Sequence, residues 1–341
     1  MLNTVYRLVE PGRIEAEFCD IDITADAVLV RPTYLSICNA DQRYFQGTRP
    51  ARVLRSKLPM ALIHEGIGEV VFDMKGEFPV GSRVVMVPNM PCEEDVAAAE
   101  NYLPSSRFVS SGWDGFMQDI VSIRRDRVLS LPESVNDQVA AFTELVSVAY
   151  HTIDRFDSRA HSRRNVIGVW GDGNLAFITT LLLKKRMPES RIIVFGKHNH
   201  KLREFVFADE CFHIDELPEG IYIDHGFECV GGMNSGRAIN QMIDIIGPEG
   251  CIATMGVSED NVPINTRMVL EKGITLFGSS RSGVRDFRNL LAFYEANPDV
   301  TEYLGRIVGN VVHVRSISDM SAAFEADMKK KGGKTIMEWK K

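Results

Sequence analysis

Between residues 165 and 280, short apolar segments alternate with helical patterns, and this alternation restricts the possible folds more than any other feature of the chain. The segment 166–170, Val-Ile-Gly-Val-Trp, is apolar throughout, as expected of a strand buried on both faces of a sheet. A helical pattern over 175–186 follows it directly. Because strands that alternate with helices form βαβ units, the sequence predicts an α/β fold with a doubly wound parallel sheet.

The rest of the chain divides around this region. Before residue 150, short β-type segments are separated by glycine and proline, whereas the segment after 285 does not continue the alternation. We therefore expect a β-rich domain over 1–150, to which 285–341 returns, and an α/β domain over 151–284. The predicted strands are 27–31, 68–72, 83–87, 191–195, 224–230, 251–255, 274–277 and 334–338, and the further predicted helices are 200–207, 236–246, 286–297 and 320–327.

Length and charge limit the class of protein. The 341 residues suggest two domains at about 150 residues each. A net charge of −7, from 39 basic and 46 acidic residues, argues against nucleic acid or an anionic membrane as the main partner, but it allows a local basic pocket. There is no signal-peptide pattern and no run of about 18 apolar residues, and the six cysteines are widely spaced. We expect a cytoplasmic protein without disulfides.

A glycine-containing turn between the first α/β strand and its helix predicts a dinucleotide site. Gly171 allows a tight turn, Gly173 lets the backbone approach a pyrophosphate, and Ala176 permits close packing of helix on strand. The helix N-terminus offers free N–H groups to the phosphates. The alternative is a βα turn that binds no ligand. We expect the cofactor to contact Gly171, Asp172, Gly173, Asn174 and Leu175.

The end of the next strand predicts which dinucleotide binds. An acidic residue about 20 residues after the glycine turn would bind the ribose 2′-hydroxyl of NAD. This chain has Gly196 there, followed by Lys197 and Lys201. A glycine removes the repulsion of a 2′-phosphate and lysines supply charge-assisted hydrogen bonds, so NADP(H) is favoured over NAD(H). The alternative is an ordinary basic surface loop.

Four residues of the first region have side chains that bind zinc. Cys38 lies in a predicted turn, His64 and Glu65 precede a β-type segment, and Glu144 lies near the start of a predicted helix. Thiolate, imidazole and carboxylate are good zinc ligands, and a catalytic site leaves one position open. Taken singly, each residue has another explanation, because cysteine is a small core residue and glutamate favours helix N-termini.

The order of these motifs resembles that of the zinc-dependent medium-chain alcohol and polyol dehydrogenases. The shared motifs are Cys38-x-x-Asp41, His64-Glu65-Gly66, 112–116 (Gly-Trp-Asp-Gly-Phe), 144–148 (Glu-Leu-Val-Ser-Val) and Gly171-Asp-Gly173. The resemblance implies a GroES-like catalytic domain split around a Rossmann NADP-binding domain. It also implies that Cys38, His64, Glu65 and Glu144 are ligands or alternating ligands of one catalytic zinc ion, and that Asp41 supports them.

Longer matches resemble the ribulose-5-phosphate reductases. They are 34–44 (Tyr-Leu-Ser-Ile-Cys-Asn-Ala-Asp-Gln-Arg-Tyr), 59–66 (Pro-Met-Ala-Leu-Ile-His-Glu-Gly), 170–174 and 278–282. This resemblance implies NADPH-dependent reduction of D-ribulose 5-phosphate to D-ribitol 5-phosphate, which supplies CDP-ribitol for wall teichoic acid or capsule. A cytidylyltransferase that acts next is the implied partner, and we also expect a homo-oligomer. An unphosphorylated polyol or simple alcohol is the alternative substrate, and a non-catalytic nucleotide-binding protein is an alternative of another class.

The chain departs from its relatives in two places. Many relatives hold a second, structural zinc with four clustered cysteines, but 88–112 contains only Cys92, so we expect a single zinc. Several relatives have a hydroxyl side chain two positions after the cysteine ligand as a proton relay, where this chain has Ala40. The proton then travels through zinc-bound water, Glu65 or Tyr44. Candidate partners for a substrate phosphate are Arg43, Arg107 and Arg281, each with the alternative of being an ordinary surface arginine.

Overall fold

A computed structural model describes all residues from Met1 to Lys341. The chain forms two compact units, one made of Met1–Ser147 with Ser282–Lys341 and the other of Val148–Arg281. None of the helices combines the length and the apolar composition that crossing a lipid bilayer requires.

The first unit contains most of the strands. A mixed seven-stranded sheet has the order β10-β6-β5-β3-β18-β17, and β9 also pairs with β3. A three-stranded sheet has the order β2-β1-β4, and β7 pairs with β8. The N-terminal elements are β1 Leu2–Glu10, β2 Arg13–Asp20, β3 Ala27–Ser36, α1 Asn39–Phe45, α2 Ala51–Lys57, β4 Met60–Ala61, β5 Glu65–Asp73, β6 Arg83–Met86, β7 Asn89–Met90, β8 Arg107–Phe108, β9 Val121–Arg124, β10 Val128–Ser130, α3 Asp137–Ala140 and α4 Thr143–Asp157, which ends in the second unit.

The second unit is an α/β domain with a six-stranded sheet. Every neighbouring pair in the order β13-β12-β11-β14-β15-β16 is parallel, which confirms the predicted fold class. The order reverses between β11 and β14, and ligands of such sheets bind beyond the carboxyl ends of the strands at that point. The elements are β11 Val166–Trp170, α5 Asn174–Arg186, β12 Arg191–Gly196, α6 Asn199–Leu202, β13 Glu210–His213, β14 Ile223–Glu228, α7 Ser235–Ile245, β15 Ile246–Thr254, α8 Thr266–Lys272 and β16 Thr275–Gly278.

The C-terminal segment belongs to the first unit. The last strand pairs antiparallel with β3, with Ile336 opposite Ser36, and it thereby adds β17 to the same sheet. The elements of the C-terminal segment are α9 Val284–Ala296, α10 Pro298–Gly305, β17 Val308–Val314, α11 Ile317–Lys329 and β18 Lys334–Trp339.

The helix predicted over 200–207 is much shorter in the structure. Helix α6 ends at Leu202, and the chain continues in successive turns. Phe205 and Phe207 both make edge contacts with the ring of Phe177. Residues two apart on a helix point in different directions, so a continued helix would prevent one of these two contacts. Packing of the aromatic rings thus overrides the helical pattern.

His225 of β14 is fully buried in the second unit and is neutral. Its Nδ1 accepts a hydrogen bond from the backbone N–H of Cys251, so Nε2 carries the hydrogen that is donated to the carbonyl of Arg163. Burial, with a smaller contribution from the charge of His161, lowers the pKa of His225 to about 4; Asp224 acts in the opposite direction.

We predict that His225 makes the protein less stable in acid. Between pH 6.5 and pH 4 the unfolded chain binds a proton at this imidazole and the folded chain does not, so the free energy of unfolding falls as the pH falls. The loss reaches about 3 kcal/mol at pH 4. Denaturant unfolding of the wild type and His225→Gln at pH 7 and pH 4 measures it: the variant lacks this part of the loss, and the exposed His200→Gln control retains it. Equal pH dependence in the wild type and His225→Gln would contradict the prediction.

Candidate functional site

Cys38, His64 and Glu65 lie together in the first unit. Cys38 is the N-cap residue of α1, and Glu65 is the first residue of β5, where it pairs with Ser36 of β3. One potential ligand atom of each residue lies within 4.8 Å of those of the other two. His64 and Glu65 are buried, and Cys38 is half-buried. The sequence pattern predicted these three residues as metal ligands, and the fold brings them into one group.

The backbone before His64 is held in an unfavourable conformation. Ile63 has a φ of 72°, in the left-handed region that β-branched residues rarely adopt. Its N–H donates to Oδ1 of Asp41 at 3.0 Å, and its carbonyl accepts from the N–H of Phe116 at 2.7 Å. Such strain costs about 1–3 kcal/mol and persists where surrounding contacts determine it. These contacts turn the chain so that His64 lies beside Cys38.

Asp41 links the segments of this group. It is fully buried, and its Oδ1 also accepts a hydrogen bond from the hydroxyl of Ser110. Its Oδ2 accepts from the N–H of Cys38 at 3.3 Å and lies 3.4 Å from Nδ1 of His64. Burial alone would raise the pKa of Asp41, but the charge of His64 and these hydrogen bonds hold it below its usual range. Asp41 is therefore an ionised positioning residue.

Negative charge is concentrated around His64. Burial disfavours the imidazolium form, but the charges of Asp41 and Cys38 outweigh burial and raise the pKa of His64 well above its usual range. One buried cation balances part of this charge: Nζ of Lys334 lies 2.9 Å and 2.8 Å from the two carboxylate oxygens of Glu65, and it donates to the carbonyl of Ile37 at 2.9 Å. No sequence pattern indicates this role of Lys334, because a lysine at the start of a strand is usually exposed.

The fourth expected ligand, Glu144, is buried in the first turn of α4, but it is not a member of the group of three. Burial raises the pKa of Glu144 to about 7, and the negative charge of Glu65 adds to the rise, while His64 and Lys334 oppose it. Glu144 is thus electrostatically part of the site. Its role as a ligand stays a prediction.

The donor set fits a zinc ion. A thiol, an imidazole and a carboxylate are the side chains that zinc binds in catalytic sites. A metal ligand histidine is neutral, and with a neutral His64 the buried carboxylates of Asp41 and Glu65 face one buried ammonium, that of Lys334, so the site can accept a cation. In the segment 88–112, Cys92 is exposed.

The predicted dinucleotide turn has the expected shape in the second unit. Gly171 has a φ of 133°, and a Cβ there would lie 3.1 Å from the carbonyl oxygen of Cys229. Gly173 is the N-cap residue of α5, and a Cβ on it would meet nothing within 4 Å, which leaves space above the helix N-terminus. Ala176 is fully buried against the sheet. Asn174 and Leu175 form the first turn of α5, and the N-terminus of a helix favours a bound phosphate.

Asp172 arranges the loop that follows β12. Its Oδ2 accepts hydrogen bonds from the N–H groups of Lys197 and His198 at 2.8 Å each. Burial would raise the pKa of Asp172, but the hydrogen bonds from His198 and Lys197 hold it below its usual range. Nζ of Lys201 lies 3.7 Å from Oδ1 of Asp172, whereas Lys197 is exposed and forms no ion pair. A Cβ on Gly196 would lie 2.8 Å from the Cβ of Asp172, so a larger residue would displace Asp172.

One residue that sequence reasoning missed is Glu228, at the carboxyl end of β14. It is fully buried, and its Oε1 accepts from the N–H groups of Val230 and Gly231 at 2.8 Å each. Its Oε2 accepts from the N–H of Gly256 at 3.0 Å. Glu228 therefore holds together the loops after β14 and β15, at the point where the strand order reverses. The only signal was an acidic residue in an apolar segment.

The three arginines expected to contact phosphate belong to three different segments of the chain. Arg43 lies on α1 in the first unit. Arg107 is exposed, and its guanidinium lies 4.0 Å from the centre of the Trp113 ring, which is itself exposed. Arg281 is the last residue of the second unit and has a φ of 59°. Tyr44, one of the three expected routes for the proton, is buried on α1.

We predict that Asp41→Asn weakens zinc binding by about 10-fold to 100-fold, because residues that orient ligands contribute that much to metal affinity. Competition with a chromophoric chelator, together with the zinc content of the dialysed protein, measures the change. Asp319→Asn is the matched control, since Asp319 also lies in the first turn of a helix and its carboxylate accepts a hydrogen bond from the backbone N–H of Arg315, but it is half-buried and is not in contact with Cys38, His64 or Glu65. Unchanged zinc affinity in a folded Asp41→Asn protein would refute the role assigned to Asp41.

Comparison with known proteins agrees with this geometry. Residues 24–133 match the family described as alcohol dehydrogenase GroES-like domain, and residues 209–296 match zinc-binding dehydrogenase. The chain is 53% identical over 339 residues to ribulose-5-phosphate reductase 1 of Staphylococcus aureus and 54% identical over 339 residues to the ribulose-5-phosphate reductase of Bacillus spizizenii, covering 99% of each chain in both cases. The crystal structure of S. aureus TarJ in complex with NADPH has a TM-score of 0.89 and 48% identity, with 99% of each chain covered. This chain belongs to the ribulose-5-phosphate reductase family of the zinc-binding medium-chain dehydrogenases.

Proposed function

We propose that the protein reduces D-ribulose 5-phosphate to D-ribitol 5-phosphate with NADPH and one zinc ion. The observation that carries this proposal is the group of Cys38, His64 and Glu65, found in a chain that is more than half identical to two ribulose-5-phosphate reductases. The glycine turn at 171–173 and the lysines after Gly196 support NADPH as the hydride donor, as does the NADPH bound to the relative of known structure.

The reaction adds a hydride to C2 of the ketose and a proton to its oxygen. Cys38, His64 and Glu65 would hold the zinc ion, which would polarise that carbonyl as a Lewis acid. Asp41 keeps His64 and Cys38 in place, and Lys334 holds the carboxylate of Glu65, so these side chains are positioned before substrate binds. Ala40 carries no hydroxyl, so we assign the proton route to Glu65, to Tyr44 or to water.

The dinucleotide is held by the second unit. The N-terminus of α5 binds the pyrophosphate, and the open space over Gly173 admits it. Lys197 and Lys201 bind the 2′-phosphate, because the loop they occupy offers two cations and no carboxylate at position 196.

We further propose a cytoplasmic homo-oligomer whose product passes to a cytidylyltransferase that forms CDP-ribitol, for wall teichoic acid or capsule. The presence of six unpaired cysteines supports a reducing compartment. The reductase relatives support a sugar phosphate as the substrate.

We expect NADPH oxidation with ribulose 5-phosphate to exceed oxidation with unphosphorylated ribulose, and to stop when zinc is removed. The assay follows absorbance of the reduced nicotinamide with each ketose, with NADPH and with NADH, before and after dialysis against a chelator, and again after zinc is restored. Full activity in metal-free protein would overturn the role of zinc. A preference for ribulose would favour an unphosphorylated polyol as the natural product.

We predict that Lys197→Ala raises KM for NADPH about 10-fold or more and leaves KM for NADH within about 2-fold, because a hydrogen bond to a charged group contributes about 1.5–3 kcal/mol. Steady-state kinetics with the two cofactors measure the ratio. Arg267→Ala removes a cation of the second unit that is already paired with Glu271, and it serves as the control. An unchanged cofactor preference would show that Lys197 does not contact the 2′-phosphate.

A further inference from the structure

We call Cys38, His64 and Glu65 the zinc group. A basic segment lies between Cys38 and His64 in the sequence. From 42 to 63 the chain has five cationic side chains and no acidic one, although the whole protein has a net charge of −7. This segment includes all of α2 and joins Asp41 to His64. Its cations are Arg43, Arg49, Arg52, Arg55 and Lys57.

Lys57 differs from the other cations of α2. It is half-buried, whereas Arg52 and Arg55 are exposed. Its Nζ donates a hydrogen bond to the hydroxyl of Ser111 at 2.7 Å and lies 6.0 Å from the centre of the Tyr44 ring. No carboxylate forms an ion pair with it. An ammonium group that is partly removed from water and paired only with neutral groups retains donors for an anion.

A second cation lies at the same ring. The guanidinium of Arg49 is 5.0 Å from the centre of the Tyr44 ring. Tyr44 itself is buried, with 2% of its surface exposed. The two cations therefore lie around one fixed aromatic side chain, which limits how far either head group can move.

Two connections in the fold link Lys57 and Arg49 to the zinc group. Tyr44 follows Cys38 by six residues on α1, or about 9 Å along the helix axis. The partner of Lys57, Ser111, directly follows Ser110, whose hydroxyl binds Asp41. Both the helix and the serine pair thus fix Lys57 relative to the zinc ligands.

We propose that Lys57, with Arg49 beside it, binds the phosphate of the ketose phosphate and is the main determinant of selectivity for a phosphorylated substrate. This inference rests on the proposed function. In an extended 2-ketopentose 5-phosphate, five covalent bonds, or about 6 Å, separate the carbonyl carbon from phosphorus. A carbonyl at the zinc group then carries its phosphate toward the far end of α1. Arg107 is less suited, because it stacks on the exposed ring of Trp113.

The test compares Lys57→Met with wild-type protein. We expect KM for ribulose 5-phosphate to rise about 10-fold to 100-fold, since charge-assisted hydrogen bonds to phosphate are among the strong ones. We expect kcat to stay within about 3-fold, and kcat/KM for unphosphorylated ribulose, KM for NADPH and zinc content to be unchanged. Competitive inhibition by inorganic phosphate weakens in parallel, which a purely structural role would not produce.

Two further variants complete the test. Arg55→Met removes one charge from the same helix at an exposed position, and we expect wild-type kinetics. Lys57→Arg keeps the charge and restores a large part of the preference for the phosphorylated ketose. An equal loss in Arg55→Met would attribute the effect to the general field of the basic segment and overturn the assignment to Lys57.

The failure of this inference differs from the failure of the proposed function. A wild-type enzyme that reduces ribulose as well as ribulose 5-phosphate would overturn both. A wild-type preference for the phosphorylated ketose that survives unchanged in Lys57→Met would leave the proposed function standing and overturn the role of Lys57.

Discussion

The carboxylate of Asp41 is the contact on which the zinc group depends. Its two oxygens accept from the N–H of Ile63, the N–H of Cys38 and the hydroxyl of Ser110, and it faces His64. These groups come from three separate segments. One ionised side chain therefore fixes the start of α1 and the strained residue Ile63 before β5. A buried charge of this kind is stable only when several donors satisfy it, and here the donors belong to the parts of the chain that must converge.

The return of the C-terminal segment has an electrostatic reason as well as a packing one. Strand β18 pairs with β3, which places Lys334, its first residue, against Glu65 and the carbonyl of Ile37. In the metal-free protein, loss of Lys334 would leave the buried Glu65 without its paired cation, and breaking a buried ion pair in this way is strongly destabilising. The first unit therefore needs the end of the chain both to complete its sheet and to balance the acidic side chains around the zinc group.

Sequence patterns predicted the features that depend on neighbouring residues of the chain. The apolar strand and glycine turn identified β11, Gly171 and α5 because adjacent residues carry that signal, and Cys38, His64 and Glu65 were recognised from short motifs. Lys334 and Glu228 were missed since their importance arises only when distant segments meet. The predicted length of α6 was wrong for the same reason, because Phe205 and Phe207 pack against the ring of Phe177 on α5. Long-range contacts, and not local helix or strand propensity, determine the roles of Lys334 and Glu228 and the length of α6.

Net charge and local charge lead to different conclusions about ligands. A net charge of −7 opposes binding of long polyanions, which sum the field over a large surface. A small dianion senses mainly the groups within about 8 Å, the screening length at physiological salt. In each unit a lysine without a carboxylate partner, Lys57 in one and Lys197 in the other, adjoins the residues proposed to bind the rest of the ligand. An acidic protein can thus contain local cationic sites suited to small phosphate-bearing molecules while its overall charge opposes long polyanions.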